Sequence, residues 1–99
     1  MVFKMNLFWT NEAVSNLENI LNYLADKWTD RELNNFKMLL SRQINLIKKY
    51  PKIFPDSESN PRLRKAVLSS QTILFYELKN QIIYIIYLFN SNQYPEKIK

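Results

Sequence analysis

The sequence predicts an α+β fold: an antiparallel helix hairpin packed on a mainly antiparallel four-stranded sheet, in the order β-α-α-β-β-β. Three observations carry that expectation. An alternating apolar stretch opens the chain, two apolar stripes of helical spacing follow it, and three strand-like runs close it.

Phe3, Met5, Leu7 and Trp9 alternate with Lys4, Asn6 and Phe8, which is the period of a strand with one face on a core, so a first strand is expected over residues 3–9. Thr10 can cap the helix that comes next. Ala13, Val14, Leu17, Ile20, Leu21, Leu24 and Trp28 then recur every three or four residues, giving an amphipathic helix to about Lys27. Thr29-Asp30-Arg31-Glu32 has the form in which a hydroxyl and a carboxylate satisfy each other's free amides, and it starts a second helix. The apolar stripe of that helix runs Leu33, Phe36, Leu39, Leu40, Ile44, Ile47 and Tyr50. Pro51 ends it by disfavouring helical geometry at the residue before.

Pro51, Pro55 and Pro61 bracket a stretch rich in turn formers, read as an ordered loop pinned by Ile53 and Phe54. Leu63 to Leu68, Thr72 to Leu78 and Ile82 to Phe89 follow as a strand meander, separated by Ser69-Ser70-Gln71 and Lys79-Asn80-Gln81. The last run is apolar at nearly every position, which predicts a central strand covered at least partly on both faces. Glycine is absent, so positive φ must fall to other residues, and Asn80 and Asn90 are the expected sites.

A chain of 99 residues is expected to form one domain, residues 1–99, and 46% hydrophobic content with 14% aromatics suffices for a core without cross-links. Cysteine and histidine are both absent. That excludes disulfide scaffolds, thiolate or imidazole metal sites, and hydrolases that rely on a histidine base, and no cofactor is expected. The amino terminus lacks the basic head and apolar run of an export signal, and the longest apolar stretch falls short of the ~20 residues needed to span a bilayer. A cytoplasmic protein with no membrane association is the expectation. Net charge is +5. The excess is concentrated after residue 60, where six Lys/Arg face two Asp/Glu, and such a field attracts nucleic acid or an acidic protein.

Five stretches in order carry a resemblance. Trp9-Thr10-Asn11-Glu12-Ala13 opens the first helix, Tyr50-Pro51-Lys52-Ile53-Phe54-Pro55 follows the second, and Leu63-Arg64-Lys65-Ala66-Val67-Leu68 begins the meander. Leu74-Phe75-Tyr76-Glu77 and then Leu88 to Lys97 complete the set. Together they resemble the RelE/ParE family of toxins from bacterial type II toxin-antitoxin systems, over about residues 5–98. The resemblance implies a growth-arresting protein neutralised by a cognate antitoxin. It further implies contact with operator DNA only through that antitoxin, and assembly as a homodimer or as a hetero-oligomer with it.

Members of that family divide into ribosome-dependent mRNA endoribonucleases and inhibitors of DNA gyrase. Where the ribonucleases place arginines this chain has Ile73 and Asn92, neither able to stabilise a phosphate. Arg62, Arg64, Lys65, Glu77 and Tyr94 are the candidates left for a nuclease. A ParE-like gyrase inhibitor is therefore the leading expectation, with the endoribonuclease and a degenerate toxin acting only as a binding module as alternatives. Arg62, Arg64, Lys65 and Tyr76 are the candidates for target binding. Trp28, Phe36 and Phe54 are those for an antitoxin groove. Tyr84 and Tyr87 read as ordinary strand packing.

Overall fold

The computed structural model describes residues 6–27, 29–69 and 71–90. Six elements follow one another: β1 (Asn6–Trp9), α1 (Asn11–Lys27), α2 (Asp30–Lys49), β2 (Arg64–Val67), β3 (Thr72–Lys79) and β4 (Ile82–Asn90). The sheet runs β1-β4-β3-β2. β1 lies parallel to β4 and the other pairs are antiparallel, so the sheet is mixed but mainly antiparallel, as expected. The predicted first three residues of β1, 3–5, lie outside the described residues.

Local chemistry accounts for the boundaries. The Thr29 hydroxyl accepts the Glu32 amide at 3.2 Å while the Glu32 carboxylate accepts the Thr29 amide at 3.1 Å, so the predicted capping box starts α2. Thr10 does more than cap α1. Its hydroxyl accepts the Ala13 amide at 3.1 Å, and its Oγ1 lies within donating distance of the Ile86 carbonyl, at 2.8 Å, and of that of Ile85, at 3.0 Å. Asn16 then accepts the Leu88 amide at 3.0 Å. β1 ends opposite Ile85, and side chains from the start of α1 take over as partners of the β4 edge beyond it.

β3 and β4 are joined through Asn80 and Gln81, at φ 54° and 64°, between the paired residues Lys79 and Ile82. Two consecutive positive φ values are the requirement of a type I′ hairpin turn. The expectation for Asn80 holds. Asn90 does not take this role: it is a buried β4 residue whose side-chain amide donates to the Thr72 hydroxyl at 2.9 Å. Gln81 occupies the second strained position instead.

Both helices lie on one face of the sheet. Ala13, Ile20 and Leu24 of α1 and Phe36 and Ile47 of α2 form one core with Ala66, Leu74, Tyr76, Ile83, Ile85 and Leu88. Burying each large side chain contributes about 1.5–3 kcal/mol. β4 is central and none of its residues is exposed, so it is at least partly covered on both faces, as expected, although among the described residues both helices lie on only one of them. Its run shows no alternation because both of its faces are apolar, and a bulge shifts the phase of burial along it. Phe75 pairs with Tyr87 and Tyr76 with Ile85, leaving Ile86 unmatched and reversing the facing of every later residue. No helix among the described residues is long and apolar enough to cross a membrane.

Candidate functional site

Alternation along β2 divides the predicted basic cluster. Arg64 pairs with Tyr76 and faces the helices, whereas Lys65 pairs with Phe75 and faces the open side. Arg64 is spent on local structure: its Nη1 donates to the Phe54 carbonyl at 2.6 Å and to that of Lys52 at 3.4 Å, with Asp56 Oδ1 at 3.7 Å. Its acidic neighbour is thus Asp56 and not Glu77, which lies further along β3. Glu77 instead pairs with Arg62, Nη2 to Oε2 at 3.4 Å, an exposed pair worth at most about 1 kcal/mol.

Tyr76, expected to meet a target, is fully buried. Its hydroxyl donates to the Pro51 carbonyl at 2.7 Å and its ring meets Phe54 edge-on at 6.5 Å. Burial pushes its pKa up, against the opposing pull of the Arg64 charge and the Phe54 backbone. A residue so enclosed positions its neighbours and cannot touch a macromolecule. The same applies to Phe36, which at 2% exposure belongs to the core. Phe54 is half-buried over Tyr76, while Ile53, expected to pin the loop, projects into solvent at 52% exposure. Trp28, Asn92 and Tyr94 lie outside the described residues.

The open sheet face carries what the sequence does not announce. Phe75 and Tyr87 stack with centroids 4.6 Å apart, and Phe8 meets Tyr84 edge-on at 5.7 Å. Val67, Ile73 and Phe89 form the next row by register, with Val67 50% and Phe8 55% exposed. Lys65 and the Arg62–Glu77 pair stand toward the β2 side of this surface. Tyr87 has its pKa raised by burial and, secondarily, by the nearby Glu12 carboxylate. Counting along an unbroken strand would send Tyr84 and Tyr87 to opposite faces, and only the bulge at Ile86 brings them together. Cross-strand pairing with Phe8 is the other missing clue, because parallel pairing of β1 to β4 is a long-range fact.

Chemically, this face offers apolar and aromatic area with a few charges at one margin, a composition suited to binding. Among the described residues no group of three or more acidic side chains is placed to hold a metal ion. Of the described nuclease candidates, Arg62, Lys65 and Glu77 share the open face, with Arg62 held on the Glu77 carboxylate, while Arg64 points to the opposite face.

No protein-family model matches the sequence, and no curated protein matches it either. Solved structures do. The chain is similar to a structure of the chromosomal ParDE TA system from P. aeruginosa, with TM-score 0.72, 18% identity, and coverage of 88% of this chain and 96% of that one. It is similar to the toxin-antitoxin complex RelBE2 from Mycobacterium tuberculosis, with TM-score 0.60, 13% identity, and coverage of 89% and 99%. YafQ from E. coli gives TM-score 0.56, 16% identity, and coverage of 91% and 97%. The fold is that of the RelE/ParE-like toxins.

Proposed function

We propose that this chain, with its RelE/ParE-like toxin fold, is the toxin of a type II toxin-antitoxin pair and arrests growth by binding its target, DNA gyrase, without cutting RNA. The likeness to the ParDE and RelBE2 systems supports the toxin role and a cognate antitoxin as partner. The observation that carries the non-catalytic half is the split of the cations. Phosphoryl chemistry needs charged groups preorganised around one reacting phosphate. Here Arg64 is turned toward the helices and bound to two carbonyls, Arg62 is paired with Glu77, and Ile73 stands on the strand where an arginine would be needed. The open face, with Phe8, Tyr84 and Tyr87 beside Lys65, is the surface offered to the target.

The test is inducible expression in a bacterium, with and without the neighbouring reading frame, followed by supercoiling and RNA assays on the purified protein. Growth should stop, the neighbour should rescue it, and gyrase supercoiling should fall while translated mRNA stays whole. Intact supercoiling at saturating protein overturns the gyrase target. Codon-specific mRNA cleavage that disappears in Arg64→Ala would establish the endoribonuclease reading instead, and harmless overexpression would leave only a binding module.

A further inference from the structure

The turn that follows α2 is held from beneath by the buried Tyr76 and the partly buried Arg64. Tyr76 donates to the Pro51 carbonyl at 2.7 Å, and Arg64 donates to the carbonyls of Phe54 and Lys52 at 2.6 and 3.4 Å. The Tyr50 amide closes the helix on Leu46 at 2.8 Å, and the Ile53 amide returns to the Tyr50 carbonyl at 3.0 Å. With its backbone tied inward, the segment turns its side chains out. Tyr50 and Ile53 are each 52% exposed, and with Lys49, Pro51 and Lys52 they line an open concavity of about 590 Å³.

The two charged residues that line this concavity, Lys49 and Lys52, are both positive. Lys48 and Lys49 end α2 and Lys52 follows, while no carboxylate is among the five lining residues. The Lys49 ammonium stands 5.7 Å from the centroid of the Tyr50 ring. Lysines in a last helical turn offset the helix dipole, which accounts for Lys48 and Lys49. It does not account for Lys52, nor for an isoleucine and a tyrosine left in solvent on a backbone fixed at five points. A surface that is rigid before binding loses little conformational entropy when it is occupied.

We propose that this turn is a docking site for an acidic segment of a partner protein. One large apolar side chain of that segment seats against Tyr50, Pro51 and Ile53, and its carboxylates meet Lys48, Lys49 and Lys52. The walls decide between protein and nucleic acid. Proline and isoleucine carbons offer no partner to the polar edge of a base, whereas they suit a leucine or tryptophan side chain. The site lies on the helix-covered side of the β2 end, apart from the open sheet face, so it goes beyond the function proposed above.

The probe is a short synthetic peptide rich in Glu and Asp around one central Trp, titrated into the labelled full chain with binding read by fluorescence anisotropy and by amide chemical shifts. Shifts should centre on residues 49–53. Replacing the peptide's Trp by Ser, or combining Tyr50→Ser with Ile53→Ser in the protein, should weaken binding at least about tenfold. Lys48→Gln, Lys49→Gln and Lys52→Gln together should weaken it similarly and remove most of its salt dependence. Tyr76→Phe should keep the fold, checked by its thermal transition, yet weaken binding a few-fold by freeing the Pro51 carbonyl. Equal binding of a Lys-rich version of the peptide overturns the proposal. So does tighter binding of a dT oligonucleotide at the same residues, shifts that avoid the turn, or no binding at all. None of these readouts involves growth, so failure of the toxin reading and failure of this site are separable.

Discussion

The two faces of this sheet are built from the same kinds of side chain and end in opposite states. Toward the helices, Leu74, Tyr76, Ile83 and Ile85 are wholly buried. On the other face only Phe75 is buried; Phe8 and Val67 stay half or more exposed, and Ile73, Tyr84, Tyr87 and Phe89 are only partly covered. Composition therefore does not say which face is core. Register does, and the register of β4 turns on one unmatched residue, Ile86. Exposed apolar area such as that of Phe8 and Val67 on this face is of the kind that marks interaction surfaces.

Inserting one alanine between Tyr87 and Leu88 is the sharpest way to break the comparison. With it, Leu88 would turn toward the open side and Phe89 toward the helices, unless the strand bulged again and the Leu88 amide kept its bond to Asn16. The expected cost is about 4 kcal/mol or more, the range reserved for disrupted cores. A cooperative thermal transition close to the parent's would refute the assignment of faces. The next largest contrast sets Leu74→Ala, expected to cost about 2–5 kcal/mol by leaving a cavity, against Val67→Ala on the open face, expected within about 0.5 kcal/mol. Urea unfolding of both variants measures the difference. Comparable losses would mean that both faces are core.

Tyr76→Phe sharpens the boundary between core and loop. It removes one hydroxyl bonded to the Pro51 carbonyl, at a cost of about 1 kcal/mol near neutral pH. It also has a pH signature. Burial holds the Tyr76 pKa above its ordinary value of 10.0, so the folded state keeps this proton longer than the unfolded chain does. The associated stability is fully present below pH 10 and is lost as pH rises through the raised folded pKa. Tyr87, shifted the same way, contributes in the same sense. The parent should therefore lose stability more steeply above pH 10 than the Phe variant. Parallel alkaline unfolding curves would contradict the burial of this hydroxyl.

Much of the fold was legible because it is local. Helical spacing, the Thr29–Glu32 capping box and Pro51 mark both helices, and α2 ends one residue before the predicted proline boundary region. The strands were recognisable from β-branched and aromatic runs between turn formers. Facing and pairing were not, because the bulge at Ile86 shows only in the pairing of β3 with β4, and the parallel match of β1 to β4 joins residues more than seventy positions apart. The site suffered most from this. Arg64 and Lys65 are neighbours in sequence and so read as one cationic patch, but a strand sends adjacent side chains to opposite faces. Tyr76 reads as an exposed strand aromatic until the Pro51 carbonyl is seen to need a donor. Conversely, Tyr50 and Ile53 read as the end of a core stripe and a loop anchor, and only the inward ties of their backbone turn them outward.

The smallest expected effect concerns the hairpin that joins β3 to β4 and thereby fixes the register sorting the two faces. Asn80 tolerates its positive φ because its short polar side chain is at home in the left-handed region, but Gln81 at φ 64° has no such allowance. A chain without glycine has placed an ordinary side chain where the type I′ turn prefers glycine. Gln81→Gly should relieve that strain while raising the entropy of the unfolded chain, leaving a net gain of about 0.4–1 kcal/mol. Gln81→Pro cannot adopt the native φ and should lose more than that. The gain should appear in the urea midpoint with an unchanged slope, since the surface buried on folding is the same. A loss of stability in the glycine variant would mean that the Gln81 side chain contributes contacts outweighing its backbone strain, and that the register of β4 is held by the hairpin side chains as well as by its turn.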